Sequence, residues 1–430
     1  MNPLSVFLRA RYNKGFTSRE AIERHQHKAF KHLRQHIMPR SPFYAAYADK
    51  PLSDWPLMNK ALMMEHFTAI NTVGITKEEA LHIALTSEQE RNFAPMIGQI
   101  AVGLSTGTSG QRGLFASNKR ERALWAALML GRFSPSFLQQ QRVSLFLRAN
   151  NMLYERLGNA LISFAFYDLL HSFREHLPRL AEQQPTVLIA PAQILGLLAQ
   201  AQQDRIINIA PRCIISVAEV LSPEDQHKIE AVFGVTVDQV YQCTEGVLGM
   251  TCRAGNLHLN EAYMHIERDV IDKTSGAFAP IVTDLTRETQ PVLNYRLDDI
   301  LIPDNEPCPC GCASLRLKRI EGRCDDILYW RGENGAQLMI PSDLIRQAMA
   351  TVQTSINDYR TVQHGQSLLE IWLEATDFDP ACNEIAHKLQ ALAARMNAQL
   401  PELRFHAGIT MQIDQKRRRI ITITEKKQRN

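Results

Sequence analysis

One glycine-rich stretch, residues 104–113, decides the fold and has the sequence Leu-Ser-Thr-Gly-Thr-Ser-Gly-Gln-Arg-Gly. It follows the apolar run Ile100–Leu104 and precedes a segment of helical spacing near Glu121. Glycines let the backbone bend so that several N–H groups converge on one anion, and the hydroxyls and the arginine add donors. The Gly-Lys-Ser/Thr ending of a Walker loop is missing. Taken alone, such a loop is more often a simple turn, so the segments around it decide its function.

The segments around the loop predict two domains that differ in the order of their strands and helices. Between residues 101 and 240, predicted strands at 143–147, 187–190 and 213–217 alternate with predicted helices at 121–130 and 224–233. This alternation favours α/β layers. After residue 320, strands at 327–330, 368–373, 409–413 and 420–424 flank helices at 342–352 and 380–400. The predicted fold class is α/β, with a large layered α/β N-terminal domain over residues 1–322 and a smaller α+β, ferredoxin-like C-terminal domain over residues 323–430.

Composition and charge exclude several classes of protein. The 430 residues include 48 Lys and Arg against 45 Asp and Glu, a net charge of +3. So small an excess excludes a mainly electrostatic nucleic-acid or membrane-surface binder. The uncharged run 186–203 contains Pro191 and Gly196 and predicts a buried strand and helix, not a membrane span. No export signal follows the N-terminal arginines, so we expect a cytoplasmic protein with reduced cysteines.

Three further segments contain candidate functional side chains, namely carboxylates, hydroxyls and arginines, near strand-like stretches. They are Val-Tyr-Gln-Cys-Thr-Glu-Gly at 240–246, Asn-Tyr-Arg-Leu-Asp-Asp at 294–299 and Gly-Arg-Cys-Asp-Asp at 322–326. Together with the loop, and in this order, they make the chain resemble the adenylate-forming superfamily of acyl-CoA ligases and peptide-synthetase adenylation domains. Within that superfamily the chain is most similar to the phenylacetate–CoA ligase branch, which includes synthetases that adenylate a deazaflavin coenzyme.

The resemblance extends from about residue 34 to the C-terminus. Residues 105–110 resemble the family loop Ser-Ser-Gly-Thr-Thr-Gly, and residues 218–222 resemble its Gly-Glu-Pro-Leu segment. Residues 241–245 resemble Tyr-Gly-x-Thr-Glu, residues 283–287 resemble Thr-x-Leu-Thr-Arg, and residues 295–299 resemble Tyr-Arg-Thr-Gly-Asp. The ordered set is far more specific than any one of these motifs.

The resemblance implies a role for each matching residue. The phosphates of ATP fall to Ser105, Thr106, Thr108 and Ser109. The rest of the nucleotide falls to Ala218 and Glu219 on the adenine side, Tyr241 stacked near adenine, Thr244, Asp299 on the ribose hydroxyls, and Arg323. Glu245 is implied as a ligand of Mg²⁺ and, with Arg323 and Lys416, as a catalytic residue, while Asp325 lies at the hinge.

The chain also departs from the family pattern. Arg112 and Gly113 replace Lys-Pro in the loop, and Asp298 and Gln242 each replace a glycine; Gln242 is expected to narrow the substrate pocket. Residues 331–336 do not match the sequence that the family has after the hinge, where ligases form the approach of the thiol acceptor. Whether CoA is the acceptor therefore stays open. The run Lys416-Arg417-Arg418-Arg419 keeps the family's Lys-to-Arg spacing without its glycine. We interpret Lys416 as the adenylation lysine, with Arg417 as the substitute and a merely solvated basic cluster as the alternative.

Cysteines and one histidine predict a metal site. The candidates are Cys252, His258 and the group Cys308-Pro309-Cys310-Gly311-Cys312. Three thiolates and one imidazole form a closed tetrahedral set for Zn²⁺ with no position left for water. A similar arrangement occurs in the phenylacetate–CoA ligase branch, which implies Cys252, His258, Cys308 and Cys310 as ligands, with Cys312 to spare. The alternative is a loop of reduced cysteines without metal.

The predicted function is ATP- and Mg²⁺-dependent activation of a carboxylic acid, aromatic or otherwise apolar, as its acyl-adenylate. The predicted cofactors are ATP or AMP, Mg²⁺ and structural Zn²⁺, with CoA or a carrier as the acceptor and a homodimer as the assembly. Two alternatives stay open. One is transfer of AMP onto a hydroxyl of a larger acceptor, and the other is a catalytically silent relative that only binds nucleotide.

Overall fold

The computed structural model describes the chain except for residues 1, 13–14, 91–94, 106–112, 135–138, 148–161, 170, 324–327, 334, 336, 341–343, 346–347, 350–351, 355, 410–419 and 424–430. The chain divides into two compact units. The first comprises Met1–Leu297 and Ile302–Arg319, and the second comprises Asp298–Leu301 and Ile320–Asn430. The domain bounds predicted from the sequence, 1–322 and 323–430, stay a prediction.

The first unit contains nine of the labelled helices: α1 (Pro3–Arg11), α2 (Arg19–His32), α3 (Lys60–Glu65), α4 (Phe67–Ile70), α5 (Lys77–Gln89), α6 (Lys119–Phe133), α7 (Phe173–Gln183), α8 (Ala192–Gln203) and α9 (Pro223–Phe233) among the described residues. Its first strands are β1 (Met96–Ile97), β2 (Ile100–Leu104), β3 (Leu114–Ser117), β4 (Gln141–Leu147), β5 (Ile162–Asp168), β6 (Val187–Ala190), β7 (Cys213–Val217) and β8 (Val237–Cys243). They are followed by β9 (Gly246–Thr251), β10 (Leu257–Leu259), β11 (Met264–Val270), β12 (Phe278–Asp284) and β13 (Tyr295–Arg296). Two more strands, β14 (Asp299–Asp304) and β15 (Arg316–Arg323), each have residues in both units.

A large mixed sheet organises this part of the chain. Its strand order is β11-β12-β14-β15-β10-β9-β8-β7-β6-β4-β5, with β13 added on β12. The five strands from β8 to β5 are parallel, and α7, α8 and α9 connect them in the βαβ manner. Their carboxyl ends therefore share one edge of the sheet, where ligands bind in open α/β sheets. A separate antiparallel sheet, β1-β2-β3, carries the glycine-rich loop between β2 and β3.

Apolar side chains on successive strand residues bury both faces of the parallel region. Leu188 and Ile214 pack with α7, α8 and α9 on one face. Val187 and Ile215, one residue away, pack with α1 and α6 on the other face. Because neighbouring residues point to opposite faces, the continuous apolar runs predicted as strands are those of a sheet covered on both sides.

Helices α1 and α6 pack closely at Gly131. A Cβ at this position would lie 2.6 Å from the carbonyl oxygen of Phe7 and 2.9 Å from the Cβ of Ala10. Only a glycine allows the two helices this separation.

We expect Gly131→Ala to lower the free energy of unfolding by about 1–3 kcal/mol, because the added methyl group overpacks the contact between the helices. Gly196, in the middle of α8, is a matched control because no other group would lie within 4 Å of an added Cβ there. Gly196→Ala should raise stability by about 0.5–1 kcal/mol through helix propensity alone. Denaturant unfolding of the two variants measures both effects, and equal changes of the same sign would contradict the close contact.

The second unit contains α10 (Phe378–Arg395) and the strands β16 (Leu328–Gly332), β17 (Gln337–Ile340), β18 (Ile356–His364), β19 (Leu368–Ala375), β20 (Ala398–Gln399), β21 (Glu402–Ala407) and β22 (Ile420–Ile423). They form one sheet of order β21-β19-β18-β22 and another of order β17-β16-β20. Trp330, Leu369, Ile371 and Leu389 are fully buried in their common core. The predicted fold class, a large layered α/β part followed by a smaller α+β part, is confirmed.

Two elements near the C-terminus differ from the prediction. The helix predicted over 380–400 ends at Arg395, because Asn397 takes a left-handed φ of 51° and Ala398 pairs with Gly332 as a strand. A strand that was not predicted lies at Glu402–Ala407, where Leu403 and Phe405 alternate toward the core. The strand predicted at 409–413 falls outside the described residues apart from Ile409, which lies in no strand.

Candidate active site

The ends of the glycine-rich loop are fixed by its own first and last residues. The backbone N–H of Ser105 donates to the carbonyl of Gly113 at 2.8 Å, and the N–H of Gly113 donates to Ser105 Oγ at 2.7 Å. These bonds continue the antiparallel pairing of Leu104 with Leu114. The loop therefore leaves and re-enters the sheet at one point. Its predicted phosphate ligands Thr106, Thr108 and Ser109 lie outside the described residues.

A two-residue turn between β8 and β9 carries Thr244 and Glu245. Cys243 pairs with Gly246 across the turn, and Thr244 Oγ1 donates to Glu245 Oε2 at 2.8 Å. Burial works to raise the pKa of Glu245, but hydrogen bonds from Tyr295, Cys243, Thr244 and its own backbone outweigh it and hold the pKa below the usual value. The carboxylate is thus ionised and preoriented, as a ligand of Mg²⁺ must be.

Tyr295, which supports Glu245, is itself held firmly. It is buried in β13, pairs with Val282 of β12 and bridges to Met58. The preceding residue, Asn294, takes a left-handed φ of 49° and donates from its side chain to the carbonyls of Trp55 and Pro56. The sequence motif contained Tyr295 but gave it no role. The structure identifies it as a positioning residue for Glu245.

A small polar cavity of about 20 Å³ brings the loop base and Glu245 together. Its wall includes Gly113, Lys60, Thr244, Glu245 and Arg287. Two cationic side chains and the Glu245 carboxylate therefore line the same small space at the loop base. The sequence analysis missed Lys60, which lies in α3 more than forty residues before the loop and belongs to no motif.

A buried carboxylate, Asp284, shapes the adjacent backbone. Its Oδ1 accepts hydrogen bonds from the N–H and the hydroxyl of Thr286, both at 2.7 Å, and from the N–H of Arg287 at 3.1 Å. Burial raises its pKa, against the opposing effects of Arg287 and these bonds. A Cβ at Gly246, where φ is +152°, would lie 3.1 Å from Asp284 Oδ2. Asp284 thus orients the Thr283–Arg287 motif, a role that the sequence did not assign.

The residues predicted to lie on the adenine side are found at or near the carboxyl ends of the parallel strands β7 and β8. Ala218 follows β7 with a left-handed φ of 64°, which is strained for a residue other than glycine. A carboxylate oxygen of Glu219 accepts from the N–H of Gln193, at the start of α8, at 3.1 Å. Tyr241 is buried in β8 opposite Gly249.

The remaining predicted residues belong to the second unit or lie beyond what the structure describes. Asp299 is half-buried at the start of β14, and the neighbouring Asp298 is exposed. Arg323 ends β15, with its side chain outside the described part. Asp325 and Lys416 are outside the described residues altogether.

A large apolar cavity of about 370 Å³ lies between α6 and the parallel strands. Thr244 and Arg287 line this cavity as well as the small polar one, so the two cavities share a wall at the carboxyl edge of the sheet. Gln242 on β8 also lines it and accepts a hydrogen bond from the indole of Trp125 on α6 at 2.9 Å. The volume is that of a typical small-molecule site.

The four predicted metal ligands converge. One ligand atom from each of Cys252, His258, Cys308 and Cys310 lies within 4.8 Å of the others. The Sγ atoms of Cys252 and Cys308 are 3.7 Å apart, and Cys310 Sγ is 3.6 Å from His258 Nε2. A tetrahedral Zn²⁺ with its usual bond lengths requires separations of about 3.8 Å between sulfurs and about 3.5 Å between sulfur and nitrogen. The residues fit the ion.

The surroundings of the cluster favour a metal as well. His258 Nδ1 is 2.8 Å from the carbonyl of Ser314, so Nδ1 carries the proton and Nε2 faces the thiols as a ligand. Asn256 Nδ2 donates to Cys308 Sγ at 3.3 Å, and the N–H of Cys312 donates to Cys310 Sγ at 3.5 Å. Such bonds stabilise thiolates. Cys312 itself is not part of the group of four.

Comparison with known proteins gives a partial sequence match. Phenylacetate–coenzyme A ligase from Thermus thermophilus is 25% identical over 169 residues, which are 35% of this chain and 36% of that protein. The match therefore spans about a third of the length of this curated relative. No model of a protein family matches the chain.

Solved structures share the fold. A 2-hydroxyisobutyryl-CoA ligase, described in its postadenylation state with 2-HIB-AMP, has a TM-score of 0.69 at 15% identity and covers 93% of this chain and 89% of its own. The amide bond synthetase McbA from Marinactinospora thermotolerans has a TM-score of 0.54 at 11% identity, covering 74% and 68%. The anthranilate CoA ligase AuaEII, in complex with anthranoyl-AMP, has a TM-score of 0.51 at 12% identity, covering 73% and 65%.

These likenesses confirm the resemblance to the adenylate-forming superfamily, in fold over most of the chain and in sequence over about a third. Among the described residues, no helix is both long and apolar enough to cross a membrane.

Proposed function

We propose that this chain, which has the fold of the adenylate-forming ligases, activates a carboxylic acid with ATP as its acyl-adenylate. The observation that carries the proposal is the wall shared by the two cavities. On one side of Thr244 lies the polar cavity at the base of the glycine-rich loop, and on the other lies the apolar cavity. A carboxylate at the top of the apolar cavity would meet the α-phosphate of an ATP held by the loop.

In the reaction, a carboxylate oxygen attacks the α-phosphorus, the bond to the bridging oxygen breaks, and pyrophosphate leaves with its electron pair. The protein mainly brings two anions together and balances their charge. Lys60 and Arg287 supply cations beside the loop base. Glu245, held by Tyr295 and Thr244, would bind Mg²⁺, which when bound neutralises the charge that grows on pyrophosphate.

For the second half-reaction we propose CoA as the acceptor of the acyl group. One similar structure supports this choice, that of the 2-hydroxyisobutyryl-CoA ligase in an open conformation in complex with 2-HIB-AMP and CoA. A carrier protein or a hydroxyl group is the competing acceptor. A homodimer and a cytoplasmic location stay predictions.

We further propose that Cys252, His258, Cys308 and Cys310 hold a structural Zn²⁺. The support is the fit of the sulfur and nitrogen separations to tetrahedral geometry. All four positions would be filled by protein, so the ion would join the end of β9 and β10 to the segment before β15 without entering the reaction.

Screening for pyrophosphate release over a panel of carboxylic acids, with and without CoA, tests the proposal. We expect acid-dependent release and an adenylate that hydroxylamine traps. A stable AMP-linked product in place of the trappable adenylate would favour AMP transfer to a hydroxyl. ATP binding without release for any acid would favour the silent relative.

Asp299→Ala should weaken ATP binding by about 1.5–3 kcal/mol, the usual loss when hydrogen bonds to a charged group are removed. Its exposed neighbour Asp298 offers a matched control of equal charge. Asp298→Ala should not weaken binding. Titration with a nonhydrolysable ATP analogue measures both affinities, and unchanged affinity in folded Asp299→Ala would remove the ribose assignment.

A further inference from the structure

The apolar cavity is much deeper than the reacting end needs. It is lined by Ala218 and Thr244 at the carboxyl edge of the parallel strands and by Gln141 and Val187 at the amino edge. It therefore runs the length of β4, whose six residue steps span about 20 Å. Helix α6 forms the opposite wall and gives the same depth. It lines the cavity from Glu121 to Ser134, which is also about 20 Å along a helix.

The walls between the two ends are apolar. The strands contribute alternate side chains such as Val143, Leu145 and Ile215, and α6 contributes residues such as Leu124 and Leu128. Among the described residues, these apolar strand and helix positions offer no hydrogen-bond or ion-pair partner to a charged or strongly polar group. A ligand that fills it is an apolar chain.

The glutamine at the far end of the cavity, Gln141, already forms hydrogen bonds within the protein. Gln141 donates from Nε2 to the carbonyl of Gln139 at 2.9 Å and accepts at Oε1 from Thr186 at 3.0 Å. One of the two N–H groups of this amide and one acceptor site on its oxygen are thus already occupied by the protein. With its amide engaged in this way, Gln141 favours a hydrocarbon end of the ligand over a charged one.

Helix α1 contributes the floor. Val6, only 3% exposed, lines the cavity from this helix, together with Phe133 of α6. Two features fix the helix there: the close contact at Gly131, and a hydrogen bond of 2.6 Å from Arg11 Nη1 to the carbonyl of Ser134. The floor cannot retreat without breaking both.

We infer that the acid activated by this chain is a long, unbranched apolar carboxylic acid, and that Val6 of α1 sets the longest chain accepted. The inference rests on the proposed function and names its substrate class. Each additional methylene buried in the cavity should raise kcat/KM by roughly fourfold, the equivalent of about 0.8 kcal/mol. The increase ends when the chain reaches the floor.

The first experiment measures kcat/KM for pyrophosphate release with straight-chain acids from acetate to palmitate and with phenylacetate. We expect a steady rise with length, a maximum among the longer acids and a fall beyond it. A maximum at phenylacetate or at the shortest acids would overturn the inference.

The second experiment moves the floor. Val6→Phe should shift the maximum to shorter acids and lower kcat/KM for the longest acid by at least tenfold, while the shortest active acid is little affected. Leu8 lies on the same helix but is 42% exposed, so Leu8→Phe is a matched control that should leave the profile unchanged. Should Val6→Phe lose the short acids too, Val6→Ala decides: it must shift the maximum to longer acids. An unmoved maximum in Val6→Ala overturns the inference.

Direct binding separates the two claims. Thermal stabilisation by laurate or palmitate without ATP, reduced in Val6→Phe and retained in Leu8→Phe, supports the cavity assignment even if no acid releases pyrophosphate. That combination would contradict only the proposed activation. Release with short acids, together with no stabilisation by any long acid, would contradict only the substrate class.

Discussion

Replacing Lys416 by alanine is expected to slow acid-dependent pyrophosphate release by about 10²–10³-fold, roughly 3–4 kcal/mol, by analogy with the loss of an oxyanion donor. By family resemblance, a lysine of the C-terminal domain meets the α-phosphate as negative charge develops on it. Because that contact would form mainly in the closed transition state, ATP binding should barely change. Pyrophosphate release and ATP affinity, measured in parallel, check the two expectations.

The same variant should still transfer the acyl group from preformed acyl-adenylate, since the domain has by then rotated away. Arg418 lies two positions further along the same basic run and offers a matched control. If Arg418→Ala slows adenylation as much as Lys416→Ala, the run acts only as a cluster of positive charge. A selective loss in Arg417→Ala would move the role to that residue. Equal loss of both half-reactions in Lys416→Ala would exclude an adenylation-specific lysine.

Local pattern was sufficient for the parallel strands. Val187–Ala190 and Cys213–Val217 were predicted with the bounds that the structure shows. Short runs of apolar, mostly branched residues bounded by polar or turn residues are typical of strands buried on both faces. The same few residues therefore indicate both the burial of the strand and its length. The metal cluster could be predicted for a similar reason, because two of its cysteines, Cys308 and Cys310, are close in sequence and few other functions need that spacing.

Residues that distant segments supply could not be predicted. Lys60 comes from α3, Tyr295 supports Glu245 from another strand, and Val6 reaches the cavity from α1. Nothing in the neighbouring sequence distinguishes Val6 from any other core residue, since its function depends only on which cavity α1 closes. The error at 380–400 is of a different kind. Apolar spacing continued past the end of the helix, and only the left-handed Asn397 and the pairing of β20 end it.

Removal of the metal should lower the stability of the first unit. We expect purified protein to contain about one Zn²⁺ per chain, and Cys308→Ser or Cys310→Ser to remove it and lower the free energy of unfolding by about 4 kcal/mol or more, as the loss of a structural metal can do. Metal analysis and thermal unfolding, before and after treatment with a chelator, check both. The binding energy of the ion is folding energy here, because the four ligands belong to separate segments that the ion would join.

The effect should extend to the N-terminal segment. The N–H of Ala313 donates to the carbonyl of Phe16 at 2.7 Å, and Arg253 hydrogen-bonds the carbonyl of Arg11 at the end of α1. A Cβ at Gly15 would lie only 2.8 Å from Cys312 Sγ. Without the ion, these contacts loosen, and limited proteolysis should cut the connection between α1 and α2 more rapidly.

Cys312→Ser tests the choice of ligands against the nearest alternative. This cysteine neighbours the cluster but lies outside the group of four, so its serine variant should keep the metal and most of the stability. Zinc loss in Cys312→Ser, with retention in Cys310→Ser, would exchange the two ligands. Metal-free wild-type protein that unfolds at the same temperature with and without chelator would show that the cysteines pack as reduced thiols. In that case the separations of 3.7 Å and 3.6 Å would be ordinary contacts between neighbouring side chains.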